Sequence, residues 1–356
     1  MKIDGFTINE NSPVFIIAEL SANHNGSIDT AKETIRAAKR AGADAIKFQT
    51  YTPDTMTIDV KGEDFMLSQG TIWDGRYLHD LYQDAYTPWD WHEELFRVAK
   101  EENLVCFSSP FDETAVEFLE KLNVPAYKIA SFEITDIPLI ELVASKGKPI
   151  IISTGIAEEK DIELALDACE RMGNKNVALL RCTSSYPAPV KEANMLMVRD
   201  LAKRFNVITG LSDHTMGSTV PVVATSLGAK IIEKHFILDR SIGGPDSTFS
   251  MNEQEFTDMV TAVREAEKAL GTIDYSLTEK QKQGRNFARS LYVVKDIAEG
   301  GVFTKENIRS IRPGFGLHPK YYSELMGKKA KTALSRGKAL SLNDIENQQD
   351  LSTSQQ

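Results

Sequence analysis

Cysteine is scarce in this chain. Its 356 residues hold three, Cys106, Cys169 and Cys182, widely separated. That spacing excludes a disulfide framework and a cysteine-built structural zinc knot. Long apolar runs are missing too. No stretch approaches the ~18 residues a membrane helix needs, and Met1-Lys2-Ile3-Asp4 does not begin a charged-then-apolar leader. The expectation is a soluble, cytoplasmic protein without a membrane partner. Excess positive charge is also lacking. The formal net charge of -10 argues against nucleic acid as the main partner. The deficit is uneven, however: residues 280–340 carry 14 Lys and Arg against 4 Asp and Glu, and residues 1–279 carry 27 against 44. A basic C-terminal module on an acidic body can dock on that body or on a neighbouring subunit, or simply present a solvated basic face.

What is present is a rhythm. Hydrophobic residues make up 42% of the chain, enough for one large domain and a small one. Short β-rich runs recur at Val14–Leu20, Ala45–Thr50, Val105–Ser109, Ala126–Ala130, Pro149–Thr154, Val177–Cys182, Val207–Ser212 and Ile231–Phe236. Amphipathic stretches lie between most of them: Thr30–Ala41, Trp91–Glu102, Asp112–Leu122, Asp161–Met172 and Ala193–Phe205, with a last helix at Glu253–Leu270. One long β-to-α loop, Tyr51 to Pro88, interrupts the pattern. Eight strands alternating with helices predict an α/β fold, a (β/α)8 TIM barrel, with an open doubly wound sheet as the alternative. The barrel domain is expected over 1–272, with a polar linker over 273–288. A small β-rich module with glycine turns follows over 289–346, and 347–356 reads as a disordered tail.

Chemistry in a barrel gathers at the C-terminal ends of the strands. Polar residues stand there on nearly every run: Glu19, Lys47 with Gln49, Ser108 with Ser109, Lys128 with Ser131, Ser153, Thr183 with Ser184, Ser212 with His214, and Glu233 with His235. Strand alternation puts Lys47 and Gln49 on one face, likewise Ser212 with His214 and Glu233 with His235. Lys128 and Ser131 differ in parity, so one of them belongs to the turn beyond its strand. Two lysines and several serines suit a phosphate and a carboxylate. Lys128 or Lys234 could instead form a Schiff base, as in an aldolase.

His214 and His235 end neighbouring runs 21 residues apart. Two imidazoles with open positions fit a catalytic metal better than a structural zinc site, with Glu19, Glu233 or Asp246 contributing directly or through water. The alternative is a pair of hydrogen-bonded barrel histidines. His24, in Asn23-His24-Asn25-Gly26, either orients a substrate or caps its loop. His79, His92 and His318 carry no local signal. Gly243-Gly244-Pro245-Asp246-Ser247 permits a tight loop that brings Asp246 over the mouth.

Together, Ala18-Glu19-Leu20-Ser21-Ala22-Asn23-His24-Asn25-Gly26, Ala45-Ile46-Lys47-Phe48-Gln49, Tyr127-Lys128-Ile129-Ala130-Ser131, Gly210-Leu211-Ser212-Asp213-His214 and Glu233-Lys234-His235-Phe236 resemble the sialic acid synthase family, from about residue 13 to 346. The resemblance implies a TIM barrel followed by an antifreeze-like (SAF, β-clip) domain in a domain-swapped homodimer. It implies a transferase that joins phosphoenolpyruvate to an open-chain amino sugar, releasing phosphate and forming a nine-carbon 2-keto acid. Tyr86-Thr87-Pro88-Trp89-Asp90-Trp91 and Ser131-Phe132-Glu133-Ile134-Thr135-Asp136-Ile137-Pro138 resemble one branch more than the N-acetylneuraminate branch. For that branch the acceptor would be 2,4-diacetamido-2,4,6-trideoxy-L-altrose, serving surface polysaccharide or flagellin glycosylation. The N-acetylneuraminate and legionaminate branches are the alternatives.

By resemblance, His214 and His235 would bind a divalent metal, manganese first and magnesium or cobalt otherwise, that polarises the sugar's aldehyde. Lys47, Ser109, Lys128, Ser131, Ser153, Ser184 and Ser212 would hold phosphoenolpyruvate, though the N-acetylneuraminate branch tends to carry Asn where Ser184 stands. Gln49, Tyr186 and Asp246 would face the sugar. Glu19 would handle protons or a hydroxyl at the reacting centre. Arg312, in Ser310-Ile311-Arg312-Pro313-Gly314, would reach into the partner's active site and contact an acetamido group. A non-catalytic sugar- or ice-binding protein is the rival reading, and the combined metal and phosphate residues argue against it.

Overall fold

The eight runs close into a parallel barrel because their side chains alternate between two buried layers. The strands are Phe15–Glu19 (β1), Ala45–Thr50 (β2), Val105–Pro110 (β3), Tyr127–Ile129 (β4), Ile150–Ser153 (β5), Val177–Cys182 (β6), Ile208–Asp213 (β7) and Ile231–His235 (β8). Every neighbour pair is parallel and β8 returns to β1, so the sheet has no edge and is not an open doubly wound one. The structure, a computed structural model, describes residues 1–68 and 70–347; beyond Asn347 the expected polar tail lies outside the described residues.

Inside the barrel lie Phe15, Ile17, Ala45, Val105, Phe107, Ile151, Ala178, Leu180 and Ile231. The N-terminal hairpin, Lys2–Ile3 paired with Phe6–Thr7, adds Ile3 and Ile8 to this core. Apolar side chains therefore fill the N-terminal half of the barrel, and polar ones are left to the other half. The opposite parity, Ile16, Ala18, Ile46 and Phe48, packs outward against helices. Register sets the polar level: Ser212 lies opposite Glu233, His235 opposite Glu19, and Glu19 opposite Lys47.

The helices are Ile28–Arg40 (α1), His92–Glu101 (α2), Glu113–Lys121 (α3), Ile137–Ser145 (α4), Glu159–Arg171 (α5), Leu196–Phe205 (α6), Thr219–Ser226 (α7) and Glu253–Leu270 (α8). Ser27 caps α1 and Asp112 caps α3, each accepting from first-turn N–H groups. Asn252 and Glu255 cap α8 reciprocally. α4 and α7 escape the sequence pattern because they are apolar around most of their circumference and show no clean stripe. The connection from β2 to α2 is no plain loop: it holds short helices at Pro53–Met56 and Leu78–Ala85 and a bridge between Met66 and Tyr77.

β7 approaches β8 closely at Gly210, where an added Cβ would lie 2.3 Å from the Ile231 carbonyl oxygen and 2.7 Å from Leu180 Cδ2. The Ile231 carbonyl is backbone and cannot withdraw without opening the ladder. Gly210→Ala should cost ~3 kcal/mol. Thermal unfolding checks this, and an unchanged melting temperature would show that the strands part freely.

The chain divides into compact units Met1–Gly271 and Thr272–Gln356. In the second, a short exposed helix, Glu279–Gly284, precedes Ser290–Val293 (β9), which pairs antiparallel with Ile308–Ile311 (β10). Isolated bridges such as Tyr292 to Ala339 and Ile297 to Leu334 extend this β-rich unit. Its core is Leu291, Val293, Phe303, Ile308, Leu325, Leu340 and Ile345. Among the described residues, no helix is long and apolar enough to cross a membrane.

Candidate active site

A buried charge network fills the C-terminal end of the barrel. Lys47 Nζ lies 2.6 Å from Glu19 Oε2 and 3.8 Å from Glu233 Oε2, and it donates to Ser109 Oγ at 3.4 Å. Lys128 Nζ donates to Ser153 Oγ at 2.6 Å and to the Ile129 carbonyl at 3.0 Å, and lies 3.8 Å from Glu233 Oε1. Ser212 Oγ donates to Glu233 Oε1 at 3.1 Å. All four charged groups are buried. Such a cluster is a weak source of stability, because desolvation offsets most of the attraction. Its cost suits a site that will receive a charged ligand.

The four groups respond differently to burial. Burial alone would raise Glu233, yet Lys128 and Lys47 outweigh it and hold the carboxyl below its ordinary value. Glu19 goes the other way: burial raises it to about 7 against the pull of Lys47, helped by the nearby Glu233 charge. Burial also lowers Lys128. Lys47 stays above its usual value because Glu19 and Glu233 overcome its burial. Lys234 is a different case. It points to the outer layer, where Asp213 Oδ2 and the Thr215 carbonyl bind it. Its parity takes it away from the mouth and removes it as a Schiff-base lysine.

Beyond β4 and β5 the hydroxyls converge. Ser131 Oγ accepts from Gly155 N at 3.1 Å, and a Cβ on Gly155 would meet Ser184 Oγ at 2.1 Å and Ser131 Oγ at 2.7 Å. Ser131, Ser184 and the Gly155 backbone thus crowd one spot beside Ser153 and Lys128, a set able to surround a phosphate. Ser108 does not join them. Its Oγ faces outward to Thr50, which also meets His92 Nε2 at 2.9 Å.

The histidines form the other side. The His214 and His235 rings stand 5.2 Å apart, centroid to centroid. His214 Nδ1 is 2.9 Å from the Thr183 carbonyl and must donate there, which makes Nε2 the nitrogen available to a cation whenever the ring is neutral. His235 Nδ1 is buried without a hydrogen-bond partner, 3.8 Å from Asp246 Oδ2. Burial, and then the charge of His214, push His235 well below its ordinary pKa, so the pair cannot be doubly protonated. A neutral imidazole with an unpaired ring nitrogen fits a cation ligand. A second set, Asp59, His79 and Asp80, also brings ligand atoms within 4.8 Å of one another. It is largely exposed and already holds its own cation, with Lys61 Nζ 2.6 Å from Asp80 and 3.3 Å from Asp59.

The remaining expected residues sit between these sides. Gln49 Nε2 donates to Glu19 Oε1 at 3.1 Å and to Ser21 Oγ at 2.9 Å, and Ser21 donates to Asp246 Oδ2 at 2.5 Å. The Gly243-Gly244 turn, with φ of 75° and 111°, carries Asp246 inward. The Tyr186 ring packs 4.4 Å from His214. Arg312 is exposed on the second unit. His24 is a loop cap: its Nδ1 accepts from Gly26 N at 3.1 Å, and burial lowers its pKa to about 4. A cleft of about 790 Å³ opens at the other end of the barrel, beside the N-terminal hairpin and α8, away from this chemistry.

Four residues here carry no signal of their own in the sequence: Ser21, Glu133, Phe249 and Trp73. Glu133 lies in the turn after β4, its Oε2 buried without a hydrogen-bond partner. Burial raises its pKa to about 7, against the opposing charge of Lys128. The Phe249 ring lies 5.0 Å from both His235 and Tyr186. Turn positions just beyond a strand end could have revealed Glu133, as they did Ser131.

A closed barrel with paired buried lysines, clustered hydroxyls and a histidine pair at one mouth defines a (β/α)8-barrel enzyme for an anionic substrate. The NeuB family model matches residues 34–275, and the SAF domain model matches 288–346. A pseudaminic acid synthase from Campylobacter jejuni is 49% identical over 346 residues, covering 97% of this chain and 100% of that protein. One from Helicobacter pylori is 49% identical over 94% of this chain and 98% of its own. A Leptospira borgpetersenii N-acetylneuraminic acid synthetase crystal structure superposes with a TM-score of 0.71 at 30% identity, covering 80% of this chain and 94% of that one. The chain belongs to the NeuB family and carries a C-terminal SAF domain.

Proposed function

We propose that the protein is a pseudaminic acid synthase. It condenses phosphoenolpyruvate, 2,4-diacetamido-2,4,6-trideoxy-L-altrose and water to pseudaminic acid and phosphate. The observation that carries this reading is the two-sided mouth, with buried lysines and hydroxyls facing a histidine pair, in a chain 49% identical to pseudaminic acid synthases along nearly its whole length. The sibling N-acetylneuraminate or legionaminate synthases remain the alternative.

Phosphoenolpyruvate lies against Lys47, Lys128, Ser109, Ser131, Ser153, Ser184 and Ser212. Its negative charge replaces the hydration the two ammonium groups lost on burial. The aldehyde end of the sugar lies by His214 and His235, between Gln49, Tyr186 and Asp246. His214 and His235 would hold a divalent cation, manganese by this reading, which would supply Lewis acidity toward the aldehyde oxygen. C3 of phosphoenolpyruvate bonds to C1 of the sugar, water adds at C2, and the C2–O bond to phosphate then breaks as the added hydroxyl becomes the 2-keto oxygen and its proton leaves with phosphate. The water's proton must leave and the new alkoxide must gain one. Glu19 and Glu133, both poised near neutrality, are the groups for these transfers. Arg312 of one protomer reaches the sugar in its partner within a domain-swapped homodimer. The enzyme works in the cytoplasm and supplies surface glycan or flagellin glycosylation.

The test gives metal-stripped protein phosphoenolpyruvate and each candidate sugar, with and without manganese. Phosphate release with the altrose sugar, restored by manganese, is the expected result. Release with N-acetylmannosamine alone would move the chain to the sialic acid branch, and indifference to metal would remove the histidine pair's role.

A further inference from the structure

Trp73 belongs to the β2–α2 connection, not to the barrel, yet it sits over the mouth. Its ring lies 5.4 Å from Tyr186 and 6.3 Å from Phe249. Those two rings in turn flank the histidines, at 4.4 Å from His214 and 5.0 Å from His235. One ring therefore separates Trp73 from either histidine. The turn that presents it is pinned locally. Gly70 N, Thr71 N and Thr71 Oγ1 donate to the Asp74 carboxylate at 2.8, 2.9 and 2.8 Å. The indole is also fixed at its edge, where Nε1 donates to the Pro245 carbonyl at 2.9 Å.

That last bond decides what the indole can read. Tryptophan has one polar hydrogen, and here it is already used. What remains of the indole is apolar surface, packed beside the Tyr186 and Phe249 rings. An open-chain six-carbon sugar spans roughly 6 Å from C1 to C6, at about 1.5 Å per C–C bond. Two ring steps, 4.4 and 5.4 Å, lead from His214 through Tyr186 to Trp73, so a sugar held by its C1 end at the histidines extends its C6 end toward this wall. A methyl group there gains contact with the rings. A hydroxymethyl group places its oxygen against ring faces without a partner.

We propose that Trp73 is a specificity-determining residue, the apolar wall that selects a 6-deoxy acceptor over its 6-hydroxy counterpart. This inference deepens the functional reading above and rests on it. It assigns Trp73 to the non-reacting end of the sugar, with no part in the bond-making steps.

The experiment measures kcat/KM for 2,4-diacetamido-2,4,6-trideoxy-L-altrose and for the same sugar with a 6-hydroxyl, in wild type, Trp73→Ala and Trp73→Phe. Wild type should prefer the 6-deoxy sugar by roughly 10–100-fold, the range an apolar pocket achieves against an added hydroxyl. Trp73→Ala should bring the ratio to within about threefold, through loss on the 6-deoxy sugar. Trp73→Phe should keep most of the preference, and KM for phosphoenolpyruvate should hold in both variants. An unchanged ratio in Trp73→Ala, or an equal fall on both sugars, overturns the inference, because a residue that only packs its loop would act that way. N-acetylmannosamine and its 6-deoxy analogue run alongside. Turnover of that pair alone overturns the functional reading, and the wall is then judged by the same ratio there. Turnover of no acceptor overturns both.

Discussion

Alanine in place of His214 or His235 should lower kcat/KM for the sugar by roughly 10³-fold, while phosphoenolpyruvate binding changes little. A Lewis acid at a carbonyl is worth several kcal/mol of transition-state stabilisation, and about 1.4 kcal/mol is one decade in rate. The asymmetry between the two substrates follows from the two-sided site. Lys47 and Lys128 make no hydrogen bond to either imidazole, and the hydroxyls that line their side belong to β3, β5, β7 and the turns after β4 and β6. Calorimetric titration with phosphoenolpyruvate and elemental analysis of bound manganese separate the effects. The variants should bind the first and lose the second. Full metal content with unchanged kinetics would return the pair to the role of packed barrel histidines. His214 is the more informative member, because its bond to the Thr183 carbonyl fixes which nitrogen faces the mouth.

The barrel was legible because β-strand parity is a strong local rule. Lys47 and Gln49 alternate with Ile46 and Phe48, and the structure puts the first pair inside and the second against helices. Carried through every run, the same rule also turns Ser108 and Lys234 outward, against their expected places among the mouth residues and as a Schiff-base lysine. The residues that stayed hidden are held by tertiary contacts. Trp73 comes from a connection whose path no periodicity encodes. Phe249 follows β8 by 14 residues and looks like any core aromatic. α4 and α7 lack a polar face, so their sequences do not distinguish a buried helix from a buried strand. Glu133 is an intermediate case: the turn after β4 was visible, but the solvent exclusion that makes its carboxyl unusual was not.

That solvent exclusion makes two opposite effects of Glu133→Gln expected. The carboxyl has Oε2 buried without a hydrogen-bond partner, and burial raises its pKa to about 7 despite Lys128 nearby. A group that carries protons in the reaction should lower kcat by roughly 10²–10⁴-fold when replaced by an amide of the same shape. It should also take with it one of the two inflections near pH 7 in the rate profile, leaving the one that belongs to Glu19. Stability should move the other way. The folded-state pKa lies above the unfolded value of 4.5, so the native protein holds its proton more tightly than the unfolded chain does. Wild-type stability is then lost as pH rises from about 4.5 through about 7, where the folded protein must ionise a desolvated acid. Glutamine never ionises and avoids that loss. The variant should be more stable than wild type at pH 8, by on the order of 1 to 3 kcal/mol, with the gap closing below about pH 4.5. Thermal melts at the two pH values, read beside the rate profile, test both effects. A carboxyl that merely packs the turn would change stability and leave the pH profile intact. A residue kept at a cost to stability for its chemistry would show both changes together, as active-site groups held in unfavourable surroundings do.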